Sequence, residues 1–150
     1  FEGMEMARKV ENRGLEEAFF NNLVAAFQGS PALKNFGIKM NYLAPGQAGF
    51  EMRIRAKYRN TRGLAHGGAI ASLADTAMGV SIITRSLWVV TLEMNLNYLA
   101  PVNIGDRISA EGRVIHLGKK TAVAEAEVFN SERTLVAKSR GTFILYGPGE

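Results

Sequence analysis

The chain contains no cysteine. That absence removes disulfides, thiol nucleophiles and thiolate metal ligands together, and it fits a cytoplasmic setting. Histidine is nearly as scarce. His66 and His116 are the only two, which argues against a histidine-built metal site within one chain. No apolar run approaches the roughly 18 residues that a membrane-crossing helix needs, so membrane insertion is not expected. The stretch Phe1 to Arg13 mixes charges and has no apolar segment, unlike a secretory signal. Phe1-Glu2-Gly3 ahead of Met4 reads as an addition to the native start, and residues 1–13 as a flexible leader.

The rest of the composition is that of an ordinary globular protein. A hydrophobic share of 47% over 150 residues is enough for one domain with a real core, spanning 1–150. The net charge of +4 hints at an anionic partner. It does not choose among nucleic acid, a phosphorylated cofactor and no specific partner at all.

Residues 14–28 read as an amphipathic helix, because Leu15, Phe19, Phe20, Leu23, Val24 and Phe27 recur at helical spacing. Gly29-Ser30-Pro31 stops it. Strands are expected at 36–43 and 49–58, joined through Pro45-Gly46. In the second, Phe50, Met52 and Ile54 alternate with Glu51, Arg53 and Arg55. Arg53, Arg55, Lys57 and Arg59 would then make a basic stripe on one strand face, whose default reading is a solvated surface.

A second helix is expected over 67–84. Ile70, Leu73, Ala74, Ala77, Met78 and Ser81 form one stripe of it. Gly68, Ser72, Asp75 and Gly79 form a neighbouring stripe of small residues plus one carboxylate, which invites close approach of a backbone or ligand. After Trp88 the chain reads as β throughout. Val90, Leu92, Met94, Leu96 and Tyr98 alternate with Thr91, Glu93, Asn95 and Asn97, and further strands are expected at 106–117, 120–129 and 133–146. Helix, two strands, a long helix and four strands imply an α+β fold, with a curved antiparallel sheet covering one helix.

His66-Gly67-Gly68 opens that long helix. Two glycines at a helix start let a ligand come close to the backbone, and first-turn N–H groups can hold developing negative charge. Asp75 is the only charged residue between Arg62 and Arg85. An oxyanion donor and a lone carboxylate are sufficient equipment for acyl hydrolysis. The plainer readings are a tight turn for the glycines and a solvated or ion-paired aspartate.

Three segments carry a family resemblance: Asn60-Thr-Arg-Gly63-Leu-Ala-His66-Gly67-Gly68, Ser72-Leu73-Ala74-Asp75, and Glu93-Met94-Asn95-Leu96-Asn97-Tyr98-Leu99-Ala100-Pro101. Together they resemble the hotdog-fold acyl-CoA thioesterases, in the branch related to the phenylacetate-pathway enzymes, over roughly residues 36–146. The related 4-hydroxybenzoyl-CoA type carries glutamate where Asp75 stands. The resemblance implies a hotdog fold, a curved antiparallel sheet wrapped around one long central helix, here with an extra N-terminal helix at 14–28. It implies hydrolysis of an acyl-CoA, aromatic or of short to medium chain, to free acid and CoA, with no metal or other cofactor. It also implies a homodimer with shared active sites, or a homotetramer.

By the same resemblance, Asp75 is general base or nucleophile and the Gly67 N–H polarises the thioester oxygen. His66 positions, Asn60 orients His66 or the carbonyl, and Thr91 helps hold the attacking water. Gly68 and the turn His116-Leu117-Gly118-Lys119-Lys120 contact CoA. Met78, Ile82 and Trp88 are candidates for a pocket lining. If Gly67 and Asp75 act on one carbonyl, one chain cannot supply both, because their separation of eight positions rises about 12 Å along a helix. Two other readings stand beside this one. One is a hotdog domain that binds acyl-CoA without cleaving it, against which the presence of Asp75 argues. The other is a basic nucleic-acid-binding protein, which would need aromatic residues among its basic ones and a recognition motif.

Overall fold

The computed structural model describes residues 9–147. The chain runs β1 (Glu11–Asn12), α1 (Glu17–Gln28), α2 (Pro31–Phe36), β2 (Lys39–Ala44), β3 (Gln47–Arg53), α3 (Gly67–Ile83), β4 (Trp88–Tyr98), β5 (Arg107–Leu117), β6 (Thr121–Phe129) and β7 (Leu135–Tyr146). The strands form one seven-stranded sheet in the order β1-β2-β3-β5-β6-β7-β4. Every pairing is antiparallel except β1 with β2. The α+β arrangement and the last three strands match the sequence expectation closely.

The N-terminal third departs from it in local chemistry. The Asn12 side-chain oxygen accepts from the N–H groups of Gly14 and Leu15, so the chain turns before the helix starts. The Glu16 carboxylate then accepts from Ala18 and Phe19 N–H at 3.1 and 2.9 Å and caps α1. A second helix, α2, occupies part of the span expected to be loop and strand. Ser30 caps it, Pro31 fills its first turn, and Gly37 at φ +71° ends it, a pattern with a clear physical rationale. The leader expected at 1–13 contributes Glu11 and Asn12 to the sheet and Val10 to the core. The reading of Phe1-Glu2-Gly3 and Met4 lies outside the described residues.

The strand expected to reach residue 58 ends at Arg53 and passes into a 3-10 turn at Ala56–Tyr58. The basic stripe is therefore not a strand face. The Arg55 guanidinium lies over Gly37. The Lys57 ammonium donates to the Asn35 carbonyl at 3.1 Å, beside the Tyr58 hydroxyl at 2.8 Å. These groups satisfy the C-terminal end of α2, where cations are favoured.

Helix α3 packs against β3, β4, β5, β6 and β7, so the sheet wraps it. Leu73, Ala74, Ala77 and Met78 are fully buried, as their stripe requires. The closest approach is at Gly112 of β5, where an added Cβ would lie 2.2 Å from the Ala77 carbonyl oxygen. Only glycine lets the helix backbone sit this close to the strand.

Strand β4 is an edge of the sheet and carries the feature that shapes the site. Its ladder with β7 pairs Thr91 with Phe143 and Glu93 with Thr142, leaving Leu92 as an extra residue in a bulge. A bulge reverses the phase of every side chain after it. Before it, Val89 and Thr91 face α3. After it, Met94 and Leu96 pack on the core and Tyr98 reaches Gly67. The single alternating stripe expected from Val90 to Tyr98 is thus split. Val90 and Leu92 are 54% and 57% exposed, on the other side from Tyr98.

Candidate active site

His66 precedes α3 with extended backbone, and its Nδ1 accepts from the Gly68 N–H at 2.8 Å. This makes His66 the N-cap and requires the ring proton, in the neutral form, on Nε2. The His66 carbonyl accepts from Ala69 N–H at 3.0 Å. Among the described residues, nothing accepts from the Gly67 N–H. An uncommitted donor at a helix start, flanked by committed ones, is suited to an incoming oxyanion.

Asp75 stands two turns further along α3 and is half-buried. The Thr91 hydroxyl donates to its Oδ1 at 2.7 Å, leaving Oδ2 open. Thr91 came forward from family resemblance alone, and the structure places it against Asp75. One helix and one strand thus hold the two ends of the site. Thr91 meets Asp75 at one end, and at the other Tyr98 meets Gly67.

Tyr98 was not singled out as a functional residue in the sequence. Its hydroxyl donates to the Gly67 carbonyl at 2.7 Å. Partial desolvation raises its phenol pKa above the usual range, and a phenol is a protonated donor at neutral pH. Its signal lay in the motif ending at Pro101, but the Leu92 bulge hid which face it occupies.

Asn60 serves its own loop. Its side-chain oxygen accepts from Arg62 and Leu64 N–H at 2.8 and 3.0 Å, an Asx-type turn. No hydrogen bond joins it to His66 among the described residues, where His66 Nδ1 bonds Gly68 N–H. Gly68 is exposed beside the cap. An added Cβ there would lie 3.1 Å from His66 Nδ1.

His116 and Leu117 end β5, and Gly118, Lys119 and Lys120 form its turn into β6, closed by Gly118 N–H to Thr121 O at 2.9 Å. The cross-strand row Thr91–Phe143–Ala122–Leu117 puts this turn three strands from Thr91, about 14 Å at ~4.8 Å per strand. It therefore does not touch Asp75 in the same chain. Met78 and Ile82 are fully buried while Trp88 is 49% exposed, so these three do not line one pocket. A polar cavity of about 380 Å³, bordered by Arg13, Asn41, Tyr42 and Glu111, lies at the opposite edge of the sheet from β4. No group of three or more potential metal ligands exists among the described residues. No helix there is long and apolar enough to cross a membrane.

The thioesterase superfamily model matches residues 62–137, from the loop before His66 to the start of β7. The chain belongs to the thioesterase superfamily. Its chemistry is thioester hydrolysis and its fold is the hotdog, with α3 inside the sheet. This thioesterase is 31% identical to acyl-coenzyme A thioesterase PaaI of Escherichia coli over 122 residues, 81% of this chain and 87% of the relative. The solved structure of the E. coli PaaI protein superposes with a TM-score of 0.83 at 30% identity, across 89% of this chain and 97% of that one. A Streptococcus mutans protein solved bound to acetyl CoA superposes with a TM-score of 0.72 at 31% identity, over 75% of this chain and 91% of that one.

Proposed function

We propose that this thioesterase hydrolyses an acyl-CoA to a free acid and CoA, with Asp75 as general base, at sites shared between two copies of the chain. The observation that carries the reading is the Asp75–Thr91 pair, a carboxylate held by one hydroxyl with its second oxygen open. The Thr91 oxygen donates to Asp75 and keeps lone pairs that can accept from a water at the same place. Asp75 takes one proton from that water as its oxygen attacks the thioester carbon. The carbonyl oxygen becomes an oxyanion facing the Gly67 N–H. Collapse breaks the C–S bond, and the proton returns from Asp75 to the CoA sulfur. His66 and Asn60 act by shaping the helix entry rather than by proton transfer. No metal or redox cofactor has a part in these steps. The Lys119-Lys120 turn supplies charge for the CoA phosphates, and a cytoplasmic setting fits the cysteine-free chain.

Sharing follows from the length of α3. Gly67 and Asp75 lie about 12 Å apart along one helix, yet both must come within ~3 Å of the reacting group. Strand β4 offers the partner surface. It is an unpaired edge 11 residues long, with Trp88, Val90, Leu92 and Tyr98 all exposed. Edges of this kind pair readily with another strand. Antiparallel pairing of two β4 strands about a two-fold axis at Asn95 sets Met94 against Leu96 and Glu93 against Asn97. It then sets Tyr98 against the Thr91–Leu92 bulge, with inward side chains opposite inward ones. The Gly67 end of one chain thereby meets the Asp75 end of its partner.

The test is release of free CoA thiol from acetyl-, hexanoyl-, palmitoyl- and phenylacetyl-CoA. A thiol reagent has no background here because the chain has no cysteine. Hydrolysis of at least one, lost by ~1,000-fold or more in a folded Asp75→Ala variant, is expected for a general base that also positions water. Binding of these thioesters without turnover would instead favour a non-catalytic acyl-CoA-binding domain.

A further inference from the structure

We infer that Tyr98 is a positioning residue for the oxyanion donor, fixing the Gly67-Gly68 peptide so that the Gly67 N–H points at the thioester oxygen. The inference rests on Gly67 serving as that donor, as proposed above. Glycine pairs are conformationally permissive, and the first turn of α3 lacks intrahelical partners for its N–H groups, so side-chain contacts help to define the backbone at 67 and 68.

Two side chains grip the peptide that joins them. The Tyr98 hydroxyl donates to its carbonyl, on Gly67, at 2.7 Å. His66 Nδ1 accepts from its N–H, on Gly68, at 2.8 Å. The peptide plane is therefore held at both polar ends, and the free N–H of Gly67 is directed by its neighbour's restraint. The tyrosine ring adds a steric restraint. An ideal Cβ on Gly67 would stand 2.8 Å from the Tyr98 hydroxyl oxygen, 2.9 Å from Cζ and 3.3 Å from Cε1. A side chain at 67 would therefore have to displace the Tyr98 ring and break its bond to the Gly67 carbonyl. Since β4 also presents Thr91 to Asp75, one edge strand positions both halves of the proposed chemistry.

Four variants test this: Tyr98→Phe, Tyr98→Ala, Gly67→Ala and the double variant Gly67→Ala/Tyr98→Ala. They are assayed with whichever acyl-CoA of the panel the wild type turns over fastest. Tyr98→Phe keeps the ring and removes the hydroxyl. It should lower kcat about tenfold, the scale of one hydrogen bond, with KM changed less than about twofold, because a restraint felt by the oxyanion acts on the transition state. Gly67→Ala should lower kcat on the order of 100-fold, since a donor moved by about 1 Å is badly placed. In the Tyr98→Ala background the added methyl has room, and the further loss from Gly67→Ala should be under about threefold. In ¹⁵N-labelled protein, Tyr98→Phe should shift the Gly67 and Gly68 amide resonances. Should Tyr98→Ala not fold, Tyr98→Phe decides alone.

Wild-type kcat in Tyr98→Phe overturns the inference, as does an equal loss from Gly67→Ala in both backgrounds. Failure of the underlying reading looks different. A wild type that hydrolyses no thioester removes the mechanism and the role of Tyr98 with it, whereas a fully active Asp75→Asn removes only the general base and leaves Tyr98 to be judged by its own variants. Loss of turnover in Asp75→Asn alongside an unchanged Tyr98→Phe removes only the role of Tyr98.

Discussion

A single engineered cysteine tests the proposed pairing of two β4 strands, because no native thiol competes with it. With the two-fold axis at Asn95, that residue faces its own copy. Directly opposed residues of an antiparallel pair have Cα atoms about 4.5–5.5 Å apart, inside the ~4.4–6.8 Å range that a disulfide spans. Asn97 faces Glu93 of the other strand instead. Its own copy lies four residues along, about 13 Å at ~3.3 Å per residue, and disulfides do not form when Cα atoms are more than ~7 Å apart. Asn95 and Asn97 are both exposed, and both lie on the opposite face of β4 from Met94 and Leu96. Neither substitution reaches the α3 side.

Asn95→Cys should therefore convert to a covalent dimer under mild oxidation, seen on a non-reducing gel, and Asn97→Cys should remain mostly monomeric on the same timescale. The oxidised Asn95→Cys dimer should keep its thioesterase activity, because the link lies away from Asp75 and Gly67. Cross-linking of Asn97→Cys in preference to Asn95→Cys would refute the register. Equal, concentration-dependent rates for both would mean that random collision forms the bond, and would refute the pairing itself.

Complementation addresses the shared site: Gly67→Ala and Asp75→Ala are each expected to be nearly inactive, but a random mixture of exchanged subunits should regain about a quarter of wild-type activity, since half the dimers carry one intact site of two. No recovery despite confirmed exchange would place the site within one chain. Gly112→Ala should cost about 3 kcal/mol in chemical unfolding, because its Cβ would sit 2.2 Å from the Ala77 oxygen. Gly79→Ala, whose nearest neighbours would be at an ordinary 3.5 and 3.7 Å, should instead stabilise by about 0.5–1 kcal/mol, and equal signs for the two would contradict this packing. The Glu16 carboxyl is held below its usual value of 4.5 by the N–H groups of Phe19 and Ala18. A depressed carboxylate stabilises above its unfolded pKa and loses that effect as pH falls through its folded one. The melting difference between wild type and Glu16→Gln should therefore be present at pH 7 and shrink below pH 4.5, and a difference independent of pH would refute the cap.

The parts of the molecule legible in the sequence are those where one rule acts alone over a long span. Helix α3 shows in its apolar stripe and in the glycines at its start, and β5 to β7 show in their alternation and turns. The two ends of the proposed site stand out in the sequence for a related reason: Asp75 is the lone charge in a long apolar segment, and His66-Gly67-Gly68 marks a helix entry. Features that rest on only a few residues were not read. The two residues of β1 are too few to show a period. The Ser30-Pro31 start and Gly37 stop of α2 were present but enclose only six residues. Strand β3 ends at Arg53 although the apolar alternation continues through Ile54, because the opposite strand leaves the ladder there: Ile54 N–H still donates to the Asp106 carbonyl in register, but Asp106 N–H turns to the Asn103 carbonyl and Gly105 N–H takes the Ile54 carbonyl instead.

The Leu92 bulge is different in kind, since it makes a correct local pattern misleading. Thr91 and Tyr98 are seven residues apart, an odd separation that puts them on opposite faces of any regular strand. Apolar residues continue at Val90, Leu92, Met94 and Leu96 without a break in the alternation, so the sequence itself gives no sign of the reversal. Only the β7 ladder, which leaves Leu92 unpaired between Thr91 and Glu93, reveals it. That extra residue lets one strand offer a hydroxyl to Asp75 and another to the Gly67 carbonyl. Without the bulge, a β4 that kept Thr91 on Asp75 would turn Tyr98 outward, and the glycine pair would lose the group that holds its peptide. The position where the alternation fails is thus the one that lets a single strand serve both ends of the site.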